Sequence, residues 1–313
     1  MTNEDLAIQY GINADDIFKK TGVKSRRRTN EDFIMSDMAE KAAEKLFKKN
    51  PGLKSKIDGI ILVGHGYDYK APITSAILQN KLGINKNCLT IDLPHGCTGY
   101  INGLAVTKGL LEAELCSHIL LLTGDTPSFV IAKDNSELNS IFSDSATATY
   151  ISRENTESVF EKFIFGTDGA GATSLIVERS SSRLPADADY IIKGGRLNGT
   201  MEMNSTEIFL FAIKTVPKLI KETLEKNKIT IDEIDYFVFH QANTFLLEVL
   251  RKKLKLSNEK FYNNIVDTGN TVASSIPIAL KDLIEKKILK RNMTVLVAGF
   301  GLGYTWGATV IKF

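Results

Sequence analysis

Two stretches of this chain follow one plan, and that duplication narrows the available folds more than any other feature. In the first, an apolar strand pattern beginning at Asp58 leads, 39 residues on, to a small-residue helix start at Cys97, and 21 residues later to a strand at His118. In the second, a strand at Ile234 leads, after 36 residues, to a similar helix start at Asn270, and 23 residues later to a strand at Met293. Spacings this long describe a repeated α/β unit, not a short-period solenoid. Further strand patterns cover 89–93, 146–152, 172–178 and 308–312, and helix patterns cover 72–82, 101–115, 205–225, 243–254 and 271–289. The alternation predicts an α/β fold. Two such halves put the helix entrances at Cys97 and Asn270 in equivalent positions, where both can face one site.

Each entrance carries chemistry. Cys97 lies in Pro94-His95-Gly96-Cys97-Thr98-Gly99, between a short strand and a long helix. A helix N-terminus carries partial positive charge and free N–H groups, which predicts a lowered thiol pKa and a reactive thiolate. Alone, the segment suits an inert buried cysteine as readily. The strand 236–239 ends at His240-Gln241-Ala242-Asn243, and Asn270 stands in Gly269-Asn270-Thr271 ahead of Ser275-Ile276-Pro277. A cysteine, a histidine and an asparagine, each at a strand exit or helix entrance, form a candidate nucleophilic site. His240 can act as acid, base or hydrogen-bond donor, and the Asn270 amide can donate too. Taken singly, His240, His65 and His118 each read as ordinary core histidines.

Composition adds limits. The net charge of +2 implies no general attraction to nucleic acid or membrane. No apolar run nears the ~20 residues of a membrane span, and Met1-Thr2-Asn3-Glu4-Asp5 lacks the pattern of a signal peptide. The three cysteines, Cys88, Cys97 and Cys116, have neither disulfide-framework nor zinc spacing. A reducing cytoplasmic location is expected, and it suits a working thiol.

The segments Cys97-Thr98-Gly99, His240-Gln241-Ala242-Asn243, Gly269-Asn270-Thr271 and Gly299-Phe300-Gly301-Leu302-Gly303-Tyr304-Thr305-Trp306-Gly307, in this order, resemble 3-oxoacyl-acyl-carrier-protein synthase III. The resemblance runs the length of the chain. It implies a thiolase-like five-layer αβαβα fold of two duplicated halves with mixed five-stranded sheets, divided at about 180 into 1–180 and 181–313. It implies a condensing enzyme: Cys97 takes an acyl group as a thioester, a malonyl-thioester loses carbon dioxide, and the carbanion attacks the acyl-cysteine. His240 and Asn270 would bind the malonyl thioester carbonyl. The backbone N–H groups of Cys97 and Leu302 would form an oxyanion hole, with Gly301 and Gly303 giving that loop its freedom. Asn243 and Phe209 would line the substrate pocket; His95, where the family usually has a small residue, could tune the thiol, line the pocket or cap the turn, and pocket lining is the reading favoured. The resemblance implies no cofactor beyond substrates carried on coenzyme A or on the phosphopantetheine of an acyl carrier protein, and a homodimer.

The chain also departs from that family. Where the family carries a tryptophan and then an arginine for coenzyme A, this chain has Asp16 and Lys20. Phe245 stands where an arginine facing the carrier is common, and Ala71 where a bulky aromatic closes the acyl pocket of the neighbouring subunit. Ala71 therefore predicts a longer acyl pocket. The loop Phe142-Ser143-Asp144-Ser145-Ala146 is bulkier than its glycine-rich counterpart. Lys19, Lys20, Lys24, Arg26, Arg27 and Arg28 could form a basic rim for an acidic carrier, or simply a solvated charged surface. The family's first strand, which the resemblance places centrally in the first sheet, has no counterpart after Met1, so either the start lies upstream or another segment fills its place. Two other readings stand beside condensation: an acyltransferase delivering the Cys97 acyl group to an alcohol or amine, and a non-catalytic partner of a related synthase. A degradative thiolase needs a second, C-terminal cysteine, and none follows Cys116.

Overall fold

The computed structural model of the chain describes residues 1–154, 161–178 and 199–313. Strands β1 (Gly59–Val63), β2 (Leu89–Leu93), β3 (His118–Asp125) and β4 (Ser145–Ser152) form one sheet in the order β2-β1-β3-β4. Strand β5 (Ile164–Thr167) follows, and β6 (Leu175–Val177) and β7 (Met201–Met203) pair as a small ribbon. Strands β8 (Tyr236–Phe239), β9 (Phe261–Tyr262), β10 (Thr294–Gly301) and β11 (Thr305–Lys312) join β5 in a second sheet, ordered β5-β11-β10-β8-β9.

The duplication is visible in strand direction. β1 runs parallel to β2 and β3, and β3 is antiparallel to β4. β8 runs parallel to β9 and β10, and β10 is antiparallel to β11. The series β2-β1-β3-β4 and β9-β8-β10-β11 are therefore the same arrangement twice. Among the described residues the first sheet has four strands, not the five expected. The four pair without a gap, so a further strand belongs at an edge and not in the centre. The second sheet shows where: β5 occupies the edge beside β11, and the corresponding place is beside β4. β5 also lies within the segment 1–180 assigned to the first half, yet it is built into the second sheet. The expected boundary at 179–183 lies outside the described residues.

The principal helices are α1 (Asn3–Tyr10), α2 (Ala14–Thr21), α3 (Met35–Lys49), α4 (Thr74–Lys81), α5 (Gly99–Glu112), α6 (Ser136–Ile141), α7 (Ser205–Asn227), α8 (Thr244–Lys253) and α9 (Ser275–Glu285). The strand side chains explain how they stack. Ile61, Val63, Ile119 and Leu121 face Ile101 and Leu104 of α5 and Ile276 and Leu283 of α9, and Val238, Val295 and Val297 cover those helices from the second sheet. The alternate residues Ile60, Leu62, Leu120 and Leu122 pack outward on Met35, Ala39 and Leu78 of α3 and α4. Phe237, Phe239, Leu296 and Ala298 pack outward on α7 and α8. The result is helix, sheet, helix, sheet, helix. Strands buried on both faces read as unbroken apolar runs, which is why the sequence showed them. Each such Leu or Ile contributes about 1.5–3 kcal/mol by leaving water.

Smaller differences have local causes. The helix pattern at 271–289 divides into a 3-10 turn (Val272–Ser274) and α9. The strand pattern at 172–178 keeps only β6, after a 3-10 segment (Gly169–Ser174). The N-terminal helices were not predicted, though each has clear stops: Thr2 and Asn13 cap their starts, and Gly11 and Gly22, left-handed at φ 65° and 70°, end them. Among the described residues no helix is long and apolar enough to cross a membrane.

Candidate active site

The two inner helices, α5 and α9, begin next to each other, and the site forms where they do. Cys97 occupies the turn between β2 and α5. The β10–β11 turn rests on it: Thr98 and Thr305 share a hydroxyl hydrogen bond of 2.7 Å. At Gly299 of β10, a Cβ would stand 2.8 Å from both the Cys97 carbonyl oxygen and Thr98 Cα. At Gly301, whose φ of 154° favours glycine, a Cβ would come 3.1 Å from the Cys97 sulfur. Glycines in that turn are therefore what lets the chain approach the thiol.

His240 follows the last residue of β8, and its backbone N–H still donates to Ala298, at 2.8 Å. Its side chain is buried; Nδ1 lies 2.7 Å from Ser275 Oγ at the start of α9, and the ring meets Phe300 edge-on with centroids 5.9 Å apart. Asn270 precedes the turn into α9. Its backbone N–H donates to Ile141 (2.9 Å), its Oδ1 accepts from Val272 N–H (3.0 Å), and its Nδ2 donates to the Ala242 carbonyl (3.3 Å). With Oδ1 occupied, the amide is fixed so that Nδ2 carries the remaining N–H.

Cys97, His240 and Asn270 all line one cavity of about 750 Å³. Its walls include Phe209, Asn243 and Gly301 from the residues expected to bind substrate. Asn243 also caps α8, accepting from Leu246 N–H at 2.8 Å. Lys20 is part of the wall. Gly303 is not on the wall, because it sits beyond the turn against Thr305. Ala71 is exposed on a loop and is not on this wall.

Three expectations are corrected. His95 does not line the cavity: Nδ1 lies 3.0 Å from Asn102 Nδ2 on α5, which holds the half-buried ring to that helix. Arg26 is not a rim residue. It is 1% exposed and donates to Asn3 Oδ1 (2.8 Å) and the Ser140 carbonyl (2.7 Å), pinning α1 to α6. Lys24 is exposed, with its ammonium 5.7 Å from the Phe18 ring centre. The third correction is the thiol itself. Burial pushes Cys97 up to about 12, helped by the nearby Asp125 carboxylate, while the N–H groups of Leu302 and Cys97 pull it down without prevailing. Desolvation outweighs the helix N-terminus. Burial likewise drives His240 down to about 3, against a hydrogen bond with the Val272 backbone, so the imidazole stays neutral.

The two N–H groups that lower the thiol's pKa are those for which the resemblance implies an oxyanion hole. Asp125 was not foreseen. Buried at the end of β3, it accepts from His65 N–H (3.0 Å) and Ala273 N–H (3.3 Å), tying the first half to the Asn270 segment. Ser275 was part of a quoted motif but had no role assigned. Among the described residues no group of three or more His, Cys, Asp or Glu side chains could hold a metal ion.

The raised thiol has a measurable sign. Because the folded pKa lies above the ordinary value of 9.0, thiolate is scarce near neutrality and keeps increasing toward pH 12. Alkylation of Cys97 by iodoacetamide, followed by peptide mass, should rise about tenfold per pH unit from pH 6 to 10. A plateau below pH 8 would show that the thiol is activated instead.

Fold and site together define a thiolase-like condensing enzyme built around a cysteine. The 3-oxoacyl-[acyl-carrier-protein (ACP)] synthase III family matches over residues 91–169, and its C-terminal model over 224–313. The β-ketoacyl-[acyl-carrier-protein] synthase III of Fusobacterium nucleatum is 34% identical over 312 residues, covering 100% of this chain and 94% of its own length. That of Caldanaerobacter subterraneus is 32% identical over 314 residues, covering 100% and 93%. A crystal structure of a 3-oxoacyl-(acyl-carrier-protein) synthase III superposes with a TM-score of 0.96 at 36% identity, covering 100% of this chain and 95% of that one. The Thermus thermophilus enzyme gives 0.90 at 31%, again covering 100% and 95%. The chain belongs to the 3-oxoacyl-[acyl-carrier-protein] synthase III family.

Proposed function

We propose that Cys97 is the acyl acceptor of a decarboxylative condensation, with His240 and Asn270 holding the malonyl unit. The observation that carries this reading is the pairing of a thiol reached by two backbone N–H groups with a neutral imidazole and an oriented amide on one cavity wall. In the first step the sulfur attacks the donor thioester carbonyl. The developing oxyanion sits between the N–H groups of Cys97 and Leu302, and the carrier thiol departs with the proton the cysteine gives up. In the second, the malonyl-thioester loses carbon dioxide, and the electron pair of that bond moves into an enolate. His240 and Asn270 donate to the enolate oxygen. In the tautomer where Ser275 Oγ, 2.7 Å away, donates to Nδ1, the ring proton is on Nε2 and a neutral imidazole can serve as the donor. The carbanion then forms a carbon–carbon bond to the acyl carbon, and the Cys97 thiolate leaves and is reprotonated. The acceptor differs in a simple acyltransferase, which needs no donors for an enolate.

The test is intact-mass spectrometry after incubation with acyl thioesters of varied length, followed by malonyl-thioester. A gain of one acyl group, then its loss with release of carbon dioxide, is the expected sequence; acylation without decarboxylation would leave simple transfer. His240→Ala and Asn270→Ala should each lower decarboxylation about 10²–10³-fold while Cys97 still acylates, because donors aimed at a developing charge are worth roughly 3 kcal/mol each. Loss of acylation in both variants would place them in the first step.

A homodimer completes the proposal. β2 is an edge strand with its outer side unpaired among the described residues, and an open edge favours pairing with a second strand. Sedimentation equilibrium should give twice the 34.6 kDa chain mass; a monomer would remove the neighbour that Ala71 is suited to serve.

A further inference from the structure

The entrance of the catalytic cavity carries more acidic than basic side chains. Its lining includes two carboxylates, Asp16 and Glu137, and Lys20 as the one cation among the described residues; no arginine is present. Asp16 is in the first turn of α2 and Glu137 in the first turn of α6. The N-terminus of α2 is already served by its own chain, since Asn13 Oδ1 accepts from Asp15 and Asp16 N–H at 2.8 and 3.4 Å. Glu137 accepts from Ser205 Oγ at 2.5 Å, which holds its carboxylate on the wall. Lys19 lies 3.5 Å from Asp16, but at 74% side-chain exposure that pair is strongly screened. The other side of the entrance is apolar: Phe209 and Phe245 stack with centroids 5.6 Å apart, and Phe245 is 61% exposed.

We infer that this entrance selects against thioesters carrying a phosphate-rich nucleotide and favours donors presented on a bare pantetheine arm, so that the acyl group arrives from a carrier protein and not from free coenzyme A. The inference rests on the reading of Cys97 as acyl acceptor. A polyphosphate nucleotide needs several converging cations at the mouth. This wall offers one, opposed by two carboxylates. A pantetheine arm is a neutral chain of methylenes, amides and a hydroxyl. It suits the apolar edge given by Phe209 and Phe245, and Ser136 and the Asn13 amide nitrogen on the same wall leave polar groups for its amides. A carrier protein keeps its own phosphate and charge outside the cavity.

The experiment compares acylation of Cys97 by octanoyl-pantetheine, octanoyl-dephospho-coenzyme A, octanoyl-coenzyme A and an octanoyl carrier protein, at low and high salt. The expected order in kcat/KM is the carrier protein at or above pantetheine, then dephospho-coenzyme A, then coenzyme A, with about tenfold between pantetheine and coenzyme A at low ionic strength; a carrier thioester slower than coenzyme A would overturn the inference. The gap should shrink as salt screens the carboxylates. In Asp16→Asn/Glu137→Gln the ratio of coenzyme A to pantetheine rates should rise about threefold or more. Glutamine retains the acceptor for Ser205, and the wild-type donor series stands even if the variant folds poorly. Coenzyme A performing as well as pantetheine at low salt, or a ratio unmoved by the double substitution, would overturn the inference while leaving the acyl acceptor intact. Silence from every donor would overturn both.

Discussion

Cys97→Ala should abolish acyl transfer and condensation while leaving the protein folded. Removing one member of a nucleophilic constellation costs on the order of 10⁴–10⁶ in rate, whereas losing one sulfur from a site 7% exposed leaves a small cavity worth about 1 kcal/mol. The variant should therefore unfold within a few degrees of the parent but show no mass gain with any acyl thioester. His240 and Asn270 are untouched by the change, so a slow decarboxylation of malonyl-thioester should survive. That residual activity separates loss of the nucleophile from collapse of the site. An acyl adduct persisting in the variant would point to another thiol, and Cys88, half-buried beside β2, is the one to examine first.

Gly299→Ala should be the most damaging single methyl group at the junction of the two halves. The new Cβ would sit 2.8 Å from a carbonyl oxygen and 2.8 Å from a Cα, both backbone atoms of the nucleophile turn. Neither can rotate away, so the turn or the strand must shift. Overpacking of this kind costs about 1–3 kcal/mol. The displaced turn carries the thiol and one of its two N–H partners, so single-turnover acylation should fall roughly 10–10²-fold as well. Gly109→Ala is the control. It lies on α5 with nothing within 4 Å of the added carbon and should be neutral or slightly stabilising, since alanine is the better helix former. Gly299→Ala behaving like Gly109→Ala would show that the halves yield more easily than their contact implies.

How much of this was readable in advance depended on whether the signal was local. The central strands β1, β3, β8 and β10 were legible because burial on two faces writes an unbroken apolar run, as in Ile60-Ile61-Leu62-Val63, whereas the short edge strands β5 and β9 went unpredicted. Cys97 and Asn270 were legible because the repeat places them at matching helix entrances, and His240 because an apolar strand ends at it. The two N-terminal helices, of which α2 walls the cavity, were not seen: α1 has little amphipathic pattern, and both are only 8 residues long. Arg26 looked like part of a basic run, and nothing in its neighbours signals that Asn3 and Ser140 close over it.

The sequence alone determined the duplicated α/β plan, the family, and the three side chains that meet in the cavity, because each is a property of order and spacing. Only the tertiary structure decided their electrostatics. A helix N-terminus predicted an acidic thiol; the fold buried it beside Asp125 and raised it to about 12. The same enclosure left His240 neutral and set two carboxylates at the entrance. Desolvation and charge proximity sum over every element that packs on a group, and those elements are far apart in the chain.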